Sequence, residues 1–213
     1  MAERFEEGGV SGVLERPDGA PGRGMALTHG AGSNRDAPLL VRLARDFAAA
    51  GWLVLRYDLP FRQQRPKGPP YPAGAGRDRE GIGSAVAAVR GMVSEGIVAG
   101  GQSYGGRQTA MAAAERPGLA DALLLLSYPL HPPGRPEQKR TAFFPQLRVP
   151  TLFVHGTADP FGTPEELREA IALIPARTDL MLVQGAGHDL KAAGTMAAAI
   201  LGRLQTLVWY PGN

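Results

Sequence analysis

Short apolar runs alternate with longer amphipathic segments along most of this chain. The short runs are bounded by Gly, Pro or polar residues, as is typical of strands, whereas the longer segments repeat their apolar positions at helical spacing. The predicted strands span residues 25–29, 52–57, 96–100, 123–127, 151–155 and 179–183. The predicted helices span 38–50, 78–94 and 104–115; a fourth helix begins at Pro164, and a fifth ends near Trp209. Such alternation predicts a mostly parallel sheet with helices on both faces, a three-layer α/β/α sandwich.

The N-terminal region and the long loops complete this prediction. We expect Val10 to Leu14 to add an antiparallel edge strand. Two segments rich in Pro and Gly, Leu59 to Gly76 and Pro129 to Pro145, are predicted to be loops, and loops of that length are usually functional or disordered. We find no internal repeat, no linker and no insertion of the size of a cap, so residues 1–213 are expected to form a single domain.

Composition narrows the function classes. The formal net charge of +3 is too small to indicate a nucleic-acid surface, and we interpret the local basic cluster of Arg62, Arg65, Lys67, Arg77 and Arg79 as a solvated loop face. The absence of cysteine excludes disulfides and a thiol nucleophile, and we expect neither a cofactor nor a metal. The N-terminus lacks a secretory signal, and no stretch approaches the ~18 apolar residues of a membrane span, which predicts a cytoplasmic protein.

The segment Gly101-Gln102-Ser103-Tyr104-Gly105 lies where a predicted strand turns into a predicted helix. A serine on such a sharp turn, with small residues on both sides because a Cβ would clash there, is typical of a hydrolase nucleophile. A chain with 29 glycines also produces this pattern by chance, and the alternative is a Gly-rich turn with an exposed serine. The strand before the motif and the helix after it favour Ser103 as a nucleophile.

A serine hydroxyl becomes a useful nucleophile only when a histidine takes its proton and a carboxylate orients that histidine. Asp159 follows the predicted strand 151–155, and His188 follows the predicted strand 179–183. The nucleophile, the acid and the histidine thus occur in the chain order that is typical of such hydrolases. Each follows a predicted strand, so all three are expected at the edge where parallel strands end. We predict a catalytic triad of Ser103, Asp159 and His188.

Other acids and histidines give alternatives. Asp159 precedes a proline and is compatible with a simple turn cap. Asp189 adjoins the predicted catalytic histidine but would more easily cap the final helix, and Asp179 begins its strand at the opposite end. His155 is expected at a strand end beneath the acid loop, and His131 lies in a Pro-rich loop. None of these four residues has the context of Asp159 or of the histidine predicted to pair with it.

The segment His29-Gly30-Ala31-Gly32 follows the first predicted parallel strand. Acyl hydrolases supply half of an oxyanion hole from a backbone N–H at this place, and the other half from the residue after the nucleophile. We therefore predict Ala31 and Tyr104 as the oxyanion donors and expect His29 to brace the loop. Arg107 is expected to have an acidic partner, because a cation in the first turn of a helix is locally disfavoured.

Taken together, four segments resemble the dienelactone-hydrolase-like part of the α/β-hydrolase superfamily. They are Thr28 to Gly32, Gly101 to Arg107, His155 to Asp159 and Gly185 to Leu190. The loop at 29–32, the segment Arg56 to Phe61 and the serine motif resemble more closely the subgroup related to testis-expressed protein 30 and the third subunit of the nonspecific lethal complex. The likeness extends from about Val10 to Leu207 and implies a cap-less hydrolase fold. Dienelactone hydrolase proper uses a cysteine, so its lactone substrate does not transfer to this chain.

These features predict a serine hydrolase that acts on an ester, thioester or lactone of a small molecule. The two long loops are expected to wall the pocket, and its predicted lining consists of Phe61, Arg62, Tyr71, Tyr128 and Phe143. Arg62, Arg65 or Arg107 would favour an anionic substrate. The alternative is a non-catalytic scaffold that keeps the fold and works through its Pro-rich loops. Peptidase activity is a third alternative, disfavoured because nothing resembles a cap or propeller that selects peptides.

Overall fold

The computed structural model describes residues 1–191 and 196–209 and has an eight-stranded sheet at its centre. The strands are β1 (Ala2–Glu7), β2 (Val10–Glu15), β3 (Arg23–Thr28), β4 (Trp52–Asp58), β5 (Gly96–Gln102), β6 (Ala122–Leu126), β7 (Thr151–Gly156) and β8 (Thr178–Val183). The helices are α1 (Pro38–Ala49), α2 (Pro60–Gln64), α3 (Ala75–Arg90), α4 (Tyr104–Glu115), α5 (Pro164–Ile171) and α6 (Met196–Leu204), which continues into a π-turn over Gln205–Trp209.

The sheet has the strand order β1-β2-β4-β3-β5-β6-β7-β8. The strands β3 to β8 pair in parallel, whereas β2 pairs antiparallel with both β1 and β4. Parallel strands place all their carboxyl ends at one edge, where open α/β sheets bind their ligands. The loops after β3, β5, β7 and β8 therefore meet at that edge.

Successive residues of the central strands point to opposite faces and so build two separate cores. In β6, Leu123 and Leu125 belong to the core beneath α3, α4 and α5, whereas Leu124 and Leu126 belong to the core beneath α1 and α6. All four side chains are fully buried. A strand buried on both faces shows a continuous apolar run, and this explains why β6 was readable from sequence. The predicted three-layer α/β/α sandwich is confirmed.

The predicted loop 59–76 is more ordered than expected. It contains α2 and a short 3₁₀ turn at Pro72–Gly74, and α3 begins at Ala75 rather than at residue 78. Pro60 stands at the first position of α2, where its fixed φ suits a helix. At its other end α3 stops at Arg90 instead of continuing to residue 94.

A backbone contact with another segment sets that early end of α3. The N–H groups of Ser94 and Glu95 both donate to the Gly22 carbonyl, at 3.1 and 2.7 Å. These two bonds hold residues 94 and 95 beside the start of β3, although the apolar pattern of the sequence favours a helix as far as residue 94.

The N-terminal hairpin contains a strand that was not predicted. The predicted edge strand from Val10 is β2, and β1 pairs with it through a two-residue turn. Gly8 and Gly9 form that turn with φ of 57° and 79°, a conformation that favours glycine and matches the twist of a hairpin. Elsewhere, within the described residues, no helix has the length and apolar character needed to cross a membrane.

Candidate active site

A tight turn between β5 and α4 presents Ser103 at the carboxyl edge of the sheet. Ser103 has φ 52° and ψ −116°, a conformation that a residue with a Cβ rarely adopts. A Cβ on Gly101 would lie 2.9 Å from the Gly105 carbonyl carbon, and one on Gly106 would lie 2.6 Å from the Gly101 oxygen. Only glycines therefore allow the strand and the helix to approach closely enough to hold the serine in this position.

Ser103, His188 and Asp159 lie in one continuous chain of hydrogen bonds. The Ser103 hydroxyl lies 2.8 Å from His188 Nε2, and His188 Nδ1 lies 2.8 and 3.0 Å from the two carboxylate oxygens of Asp159. The structure thus brings together the three residues that the sequence predicted as a triad. This arrangement is able to move a proton from the hydroxyl to the imidazole while a carboxylate stabilises the resulting cation.

Asp159 lies in the loop that follows β7, and its carboxylate is fully buried. It accepts a 2.9 Å hydrogen bond from the Phe161 N–H in addition to the contact with His188. The alternative acids have other partners: Asp179 forms an ion pair with Arg203, and Asp189 forms one with Lys191. Asp159 is therefore the carboxylate that contacts the histidine ring.

Two aromatic rings support this acid and histidine pair. The Phe161 ring packs on the His188 imidazole, with 4.2 Å between centroids and 31° between planes. His155 is fully buried, and its Nε2 lies 2.8 Å from the Gly162 carbonyl. It therefore holds the acid loop from below, as expected. Phe161 was not singled out from the sequence, and its position two residues after Asp159 was the available signal.

The loop after β3 lies directly against the nucleophile. A Cβ on Gly30 would lie 3.5 Å from Ser103 Cβ. Within the described residues, neither the Ala31 N–H nor the Tyr104 N–H donates to a protein acceptor, and Tyr104 occupies the first position of α4, where N–H groups lack helical partners. Both N–H groups are thus available for an oxyanion.

His29 holds this loop from inside the protein. It is fully buried, its Nε2 accepts from the Leu59 N–H at 3.2 Å, and its Nδ1 donates to the Gly30 carbonyl at 2.9 Å. Burial lowers the pKa of His29, which keeps the ring neutral in this tautomer. The ring therefore braces the loop through two backbone groups and has the role predicted for it.

Arg62 does not line a substrate pocket, and this corrects the prediction. Its buried guanidinium donates to the backbone carbonyls of Ala31, Ser33, Arg65 and Gly68 at 2.8, 2.8, 3.2 and 3.0 Å. Backbone carbonyls thus engage four of the five N–H donors of this guanidinium, which leaves one for a ligand. Arg62 instead ties the loop containing Ala31 to the segment after α2.

Tyr128 is also removed from its predicted role, whereas the pocket role of Phe143 stays a prediction. Tyr128 is fully buried in the core beneath α4, where its hydroxyl donates to the Arg140 carbonyl at 2.6 Å. Phe143 is half-buried and packs edge-on against Phe144, with 5.3 Å between centroids. Aromatic residues in a long loop are covered by the fold when an apolar surface is nearby, because burial stabilises them strongly.

Two cavities are lined by the segment after α2, and one of them reaches Tyr104. One, of about 300 Å³, is lined by Phe61, Tyr71 and the helix residue Asp78, among others. The second, of about 260 Å³, lies between Tyr71 and the first turns of α4. Phe61 packs edge-on against the Tyr104 ring, and Tyr71 is 66% exposed with Arg65 stacked on it at 4.0 Å. Phe61 and Tyr71 thus line cavities, as the sequence predicted for a pocket.

Asp78 was missed in the sequence analysis as a site residue. It is 1% exposed, and its carboxylate accepts from the Tyr104 hydroxyl at 2.8 Å and from the Phe61 N–H at 3.0 Å. Burial raises the pKa of Asp78, while these hydrogen bonds act in the opposite direction. Its position amid a run of arginines gave no signal that it would turn inward.

The charges near the nucleophile differ from the prediction at one residue. Arg107 lacks the expected acidic partner in the described part of the chain: its Nε is buried and makes no hydrogen bond.

In residues 1–191 and 196–209, His, Asp and Glu side chains form no group of three or more that could hold a metal ion.

Comparison with known proteins places this architecture in a family. A family model described as an alpha/beta hydrolase domain matches residues 22–207. Among curated proteins, polyketide synthase ThaQ of Burkholderia thailandensis is 50% identical over 48 residues, which make up 22% of this chain and 2% of that protein. The chain therefore spans only a small fraction of that relative.

Several solved structures share the fold over nearly their whole length. Dienelactone hydrolase from Anabaena variabilis is 22% identical, with a TM-score of 0.69 and coverage of 97% of this chain and 94% of that one. A serine hydrolase homologue from Coxiella burnetii is 16% identical, with a TM-score of 0.75 and coverage of 96% and 97%. Est1E from Butyrivibrio proteoclasticus, in its structure with ferulic acid bound, is 16% identical, with a TM-score of 0.78 and coverage of 97% and 99%.

The likeness to the subgroup related to testis-expressed protein 30 stays a prediction, whereas the wider resemblance is confirmed by the family match and by the fold. The chain belongs to the alpha/beta hydrolase domain family.

Proposed function

We propose that this protein is a serine hydrolase that cleaves an ester, thioester or lactone bond of a small molecule through an acyl-enzyme on Ser103. The observation that carries the proposal is the unbroken hydrogen-bonded chain from the Ser103 hydroxyl through His188 to Asp159. The buried carboxylate holds the imidazole with Nδ1 protonated, which leaves Nε2 to accept the serine proton.

The first half of the reaction forms the acyl-enzyme. The Ser103 oxygen attacks the carbonyl carbon of the substrate as His188 Nε2 takes the hydroxyl proton. The carbonyl oxygen becomes negative and is bound by the N–H groups of Ala31 and Tyr104, which require no reorganisation because the loop and the helix already hold them. His188 then gives its proton to the leaving oxygen or sulfur as the bond to the acyl carbon breaks.

The second half releases the acid. A water molecule gives a proton to His188 Nε2 and attacks the acyl carbon, and the same two N–H groups again bind the oxyanion. The proton returns to the Ser103 oxygen as the acyl bond breaks. The cavity of about 260 Å³ that Tyr104 lines has the size of a short acyl or leaving group rather than of a polymer, which supports a small-molecule substrate.

Labelling with a fluorophosphonate probe tests the proposal. The wild-type protein should react covalently and should hydrolyse p-nitrophenyl butyrate, whereas Ser103→Ala should do neither. Ser84→Ala is the matched control, because this serine is exposed on α3 and its hydroxyl bonds to the Glu80 carbonyl within the same helix. Ser84→Ala should be labelled like the wild type.

One result would contradict the proposal. A wild-type protein that is folded, stays unlabelled at high probe concentration and hydrolyses no short ester would lack a competent nucleophile at Ser103. The non-catalytic scaffold would then be favoured.

A further inference from the structure

Arg107 lies one turn into α4 from Ser103, and its backbone N–H donates to the Ser103 carbonyl at 2.9 Å. Its side chain is half-buried, and its Nε is shielded from solvent without a hydrogen-bond partner. Across residues 1–191 and 196–209, no carboxylate lies within ion-pair distance of this guanidinium. A buried donor without an acceptor is costly, and the helix dipole in the first turn disfavours the positive charge of this side chain. The position is therefore suited to an anion that comes from outside the chain.

A second arginine lies close to Arg107. Arg140, in the loop after β6, is half-buried and donates through Nη1 to the Pro129 carbonyl, at 3.2 Å. The pKa of Arg140 is lowered first by burial and then by the positive charge of Arg107. The Tyr128 hydroxyl holds the backbone at this arginine, because it donates to the Arg140 carbonyl. Among the described residues, neither arginine forms an ion pair with a carboxylate, so these two like charges are not neutralised there.

The Arg107 side chain also lines the cavity of about 260 Å³ that begins at Tyr104. The other walls are mostly apolar or aromatic and include Tyr71, Pro72 and Met111. Gln108 is the remaining polar residue of α4 in this lining, and its Oε1 already accepts from Arg79 at 3.1 Å. A ligand in this cavity therefore meets apolar walls and a guanidinium that is free to donate.

We propose that Arg107, supported by the charge of Arg140, binds an oxyanion group, a carboxylate or a phosphate, at the far end of the substrate of Ser103. The inference rests on the proposed serine hydrolase function and narrows its substrate to esters or thioesters that carry a negative charge. Guanidinium groups bind carboxylate and phosphate oxygens through paired N–H donors, and the apolar walls suit the short carbon chain between the anion and the scissile bond.

Two esters of equal chain length test the subsite: p-nitrophenyl hexanoate, which is neutral, and mono-p-nitrophenyl adipate, which ends in a carboxylate. The wild type should have the higher kcat/KM for the adipate ester. Arg107→Gln should lower kcat/KM for this ester by about 10- to 100-fold relative to the neutral one, mainly through KM, as expected for a lost hydrogen bond to a charged group. Arg107→Lys should restore part of the preference, and Arg140→Gln should reduce it.

Arg135→Gln provides the matched control, since Arg135 is an exposed cation in the same loop as Arg140. This variant should keep the wild-type ratio of the two esters. Inhibition of hexanoate hydrolysis by adipate or by inorganic phosphate distinguishes the two oxyanions, and the stronger inhibitor identifies the group. A thermal unfolding curve for each variant separates lost binding from lost folding.

The subsite and the proposed function fail in different ways. If the wild type is labelled by the fluorophosphonate and hydrolyses both esters equally, or if Arg107→Gln affects both esters to the same extent, the subsite is overturned while the serine mechanism stands. If the wild type is neither labelled nor active on either ester, the proposed function itself has failed, and the substrate subsite fails with it.

Discussion

The Tyr104 hydroxyl donates a 2.8 Å hydrogen bond to the carboxylate of Asp78, which is buried beneath the segment after α2. Because Tyr104 immediately follows Ser103, this bond fixes the start of α4 to α3. The same carboxylate accepts the Phe61 N–H, so α2, α3 and α4 meet at one buried acid. The proposed oxyanion donor at Tyr104 is thus held by a side chain that is distant in sequence.

Tyr104→Phe should lower the free energy of unfolding by about 1–3 kcal/mol, because the buried Asp78 carboxylate loses one of its donors. The backbone N–H of residue 104 remains, so kcat for p-nitrophenyl butyrate should fall less than tenfold. Urea unfolding and steady-state kinetics measure the two effects. Tyr71→Phe is the control for stability, since that ring is 66% exposed. Equal stabilities of Tyr104→Phe and the wild type would show that the bond does not hold α4.

Gly105→Ala should destabilise the protein by about 1–3 kcal/mol or more and weaken fluorophosphonate labelling, because the new Cβ would collide with the His29 carbonyl. A backbone oxygen cannot move aside as a flexible side chain does. Gly202→Ala is the matched control: it lies in an exposed part of α6 with open space around it and should gain up to about 1 kcal/mol. Thermal unfolding of both variants measures the contrast. An unchanged Gly105→Ala protein would contradict the tight turn described above.

The left-handed φ of Ser103 predicts a conflict between stability and activity. Strain of this kind costs about 1–3 kcal/mol, and glycine relieves most of it at the expense of some entropy in the unfolded chain. Ser103→Gly should therefore be more stable than Ser103→Ala by about 1 kcal/mol, although both lack the proposed nucleophile. Urea denaturation of the pair isolates the strain because neither variant has a hydroxyl. Greater stability of the alanine variant would argue against strain at this turn.

The choice of acid is tested by two aspartate variants. Asp159→Asn should reduce kcat by about 10⁴-fold, because an amide at this place favours the wrong imidazole tautomer. Asp189→Asn should leave kcat within about a factor of two, since this exposed carboxylate forms an ion pair with Lys191 and surface pairs contribute little. Steady-state hydrolysis of p-nitrophenyl butyrate measures both. A larger loss in Asp189→Asn would assign the acid role to the residue beside the histidine.

His29 should make the stability depend on pH. Burial holds the folded pKa of His29 below its ordinary value of about 6.5, so the unfolded chain binds more protons at acidic pH. The contribution is fully present above about pH 6.5 and is lost as the pH falls from there toward the folded pKa. His29→Gln, which keeps a donor and an acceptor but does not titrate, should show a smaller loss of unfolding free energy between about pH 7.5 and pH 5. Identical losses in the two proteins, measured by urea unfolding, would contradict this assignment.

Local patterns in the sequence predicted most of the fold. The strand β6 and the helix α4, over Tyr104–Glu115, were found because continuous apolar runs and helical spacing act over a few neighbouring residues. The strand β1 escaped because charged residues dominate it and Phe5 is its one buried side chain. The helix α2 escaped because contacts made by Phe61 and Arg62 with distant segments hold it in a stretch rich in Pro and Gly.

The sequence by itself determined the order and local setting of the candidate site: a serine between glycines after one strand, and an acid and a histidine after two later strands. Each of these signals is a short turn whose backbone demands particular residue types, so it is readable without the rest of the fold. Only the tertiary structure decided which acid contacts His188 and that the polar groups of Arg62 and Tyr128 bond to backbone carbonyls inside the protein. It also decided that Arg107 has no acidic partner among residues 1–191 and 196–209. Those outcomes depend on which side chains meet across the sheet edge, and such contacts join residues far apart in the chain.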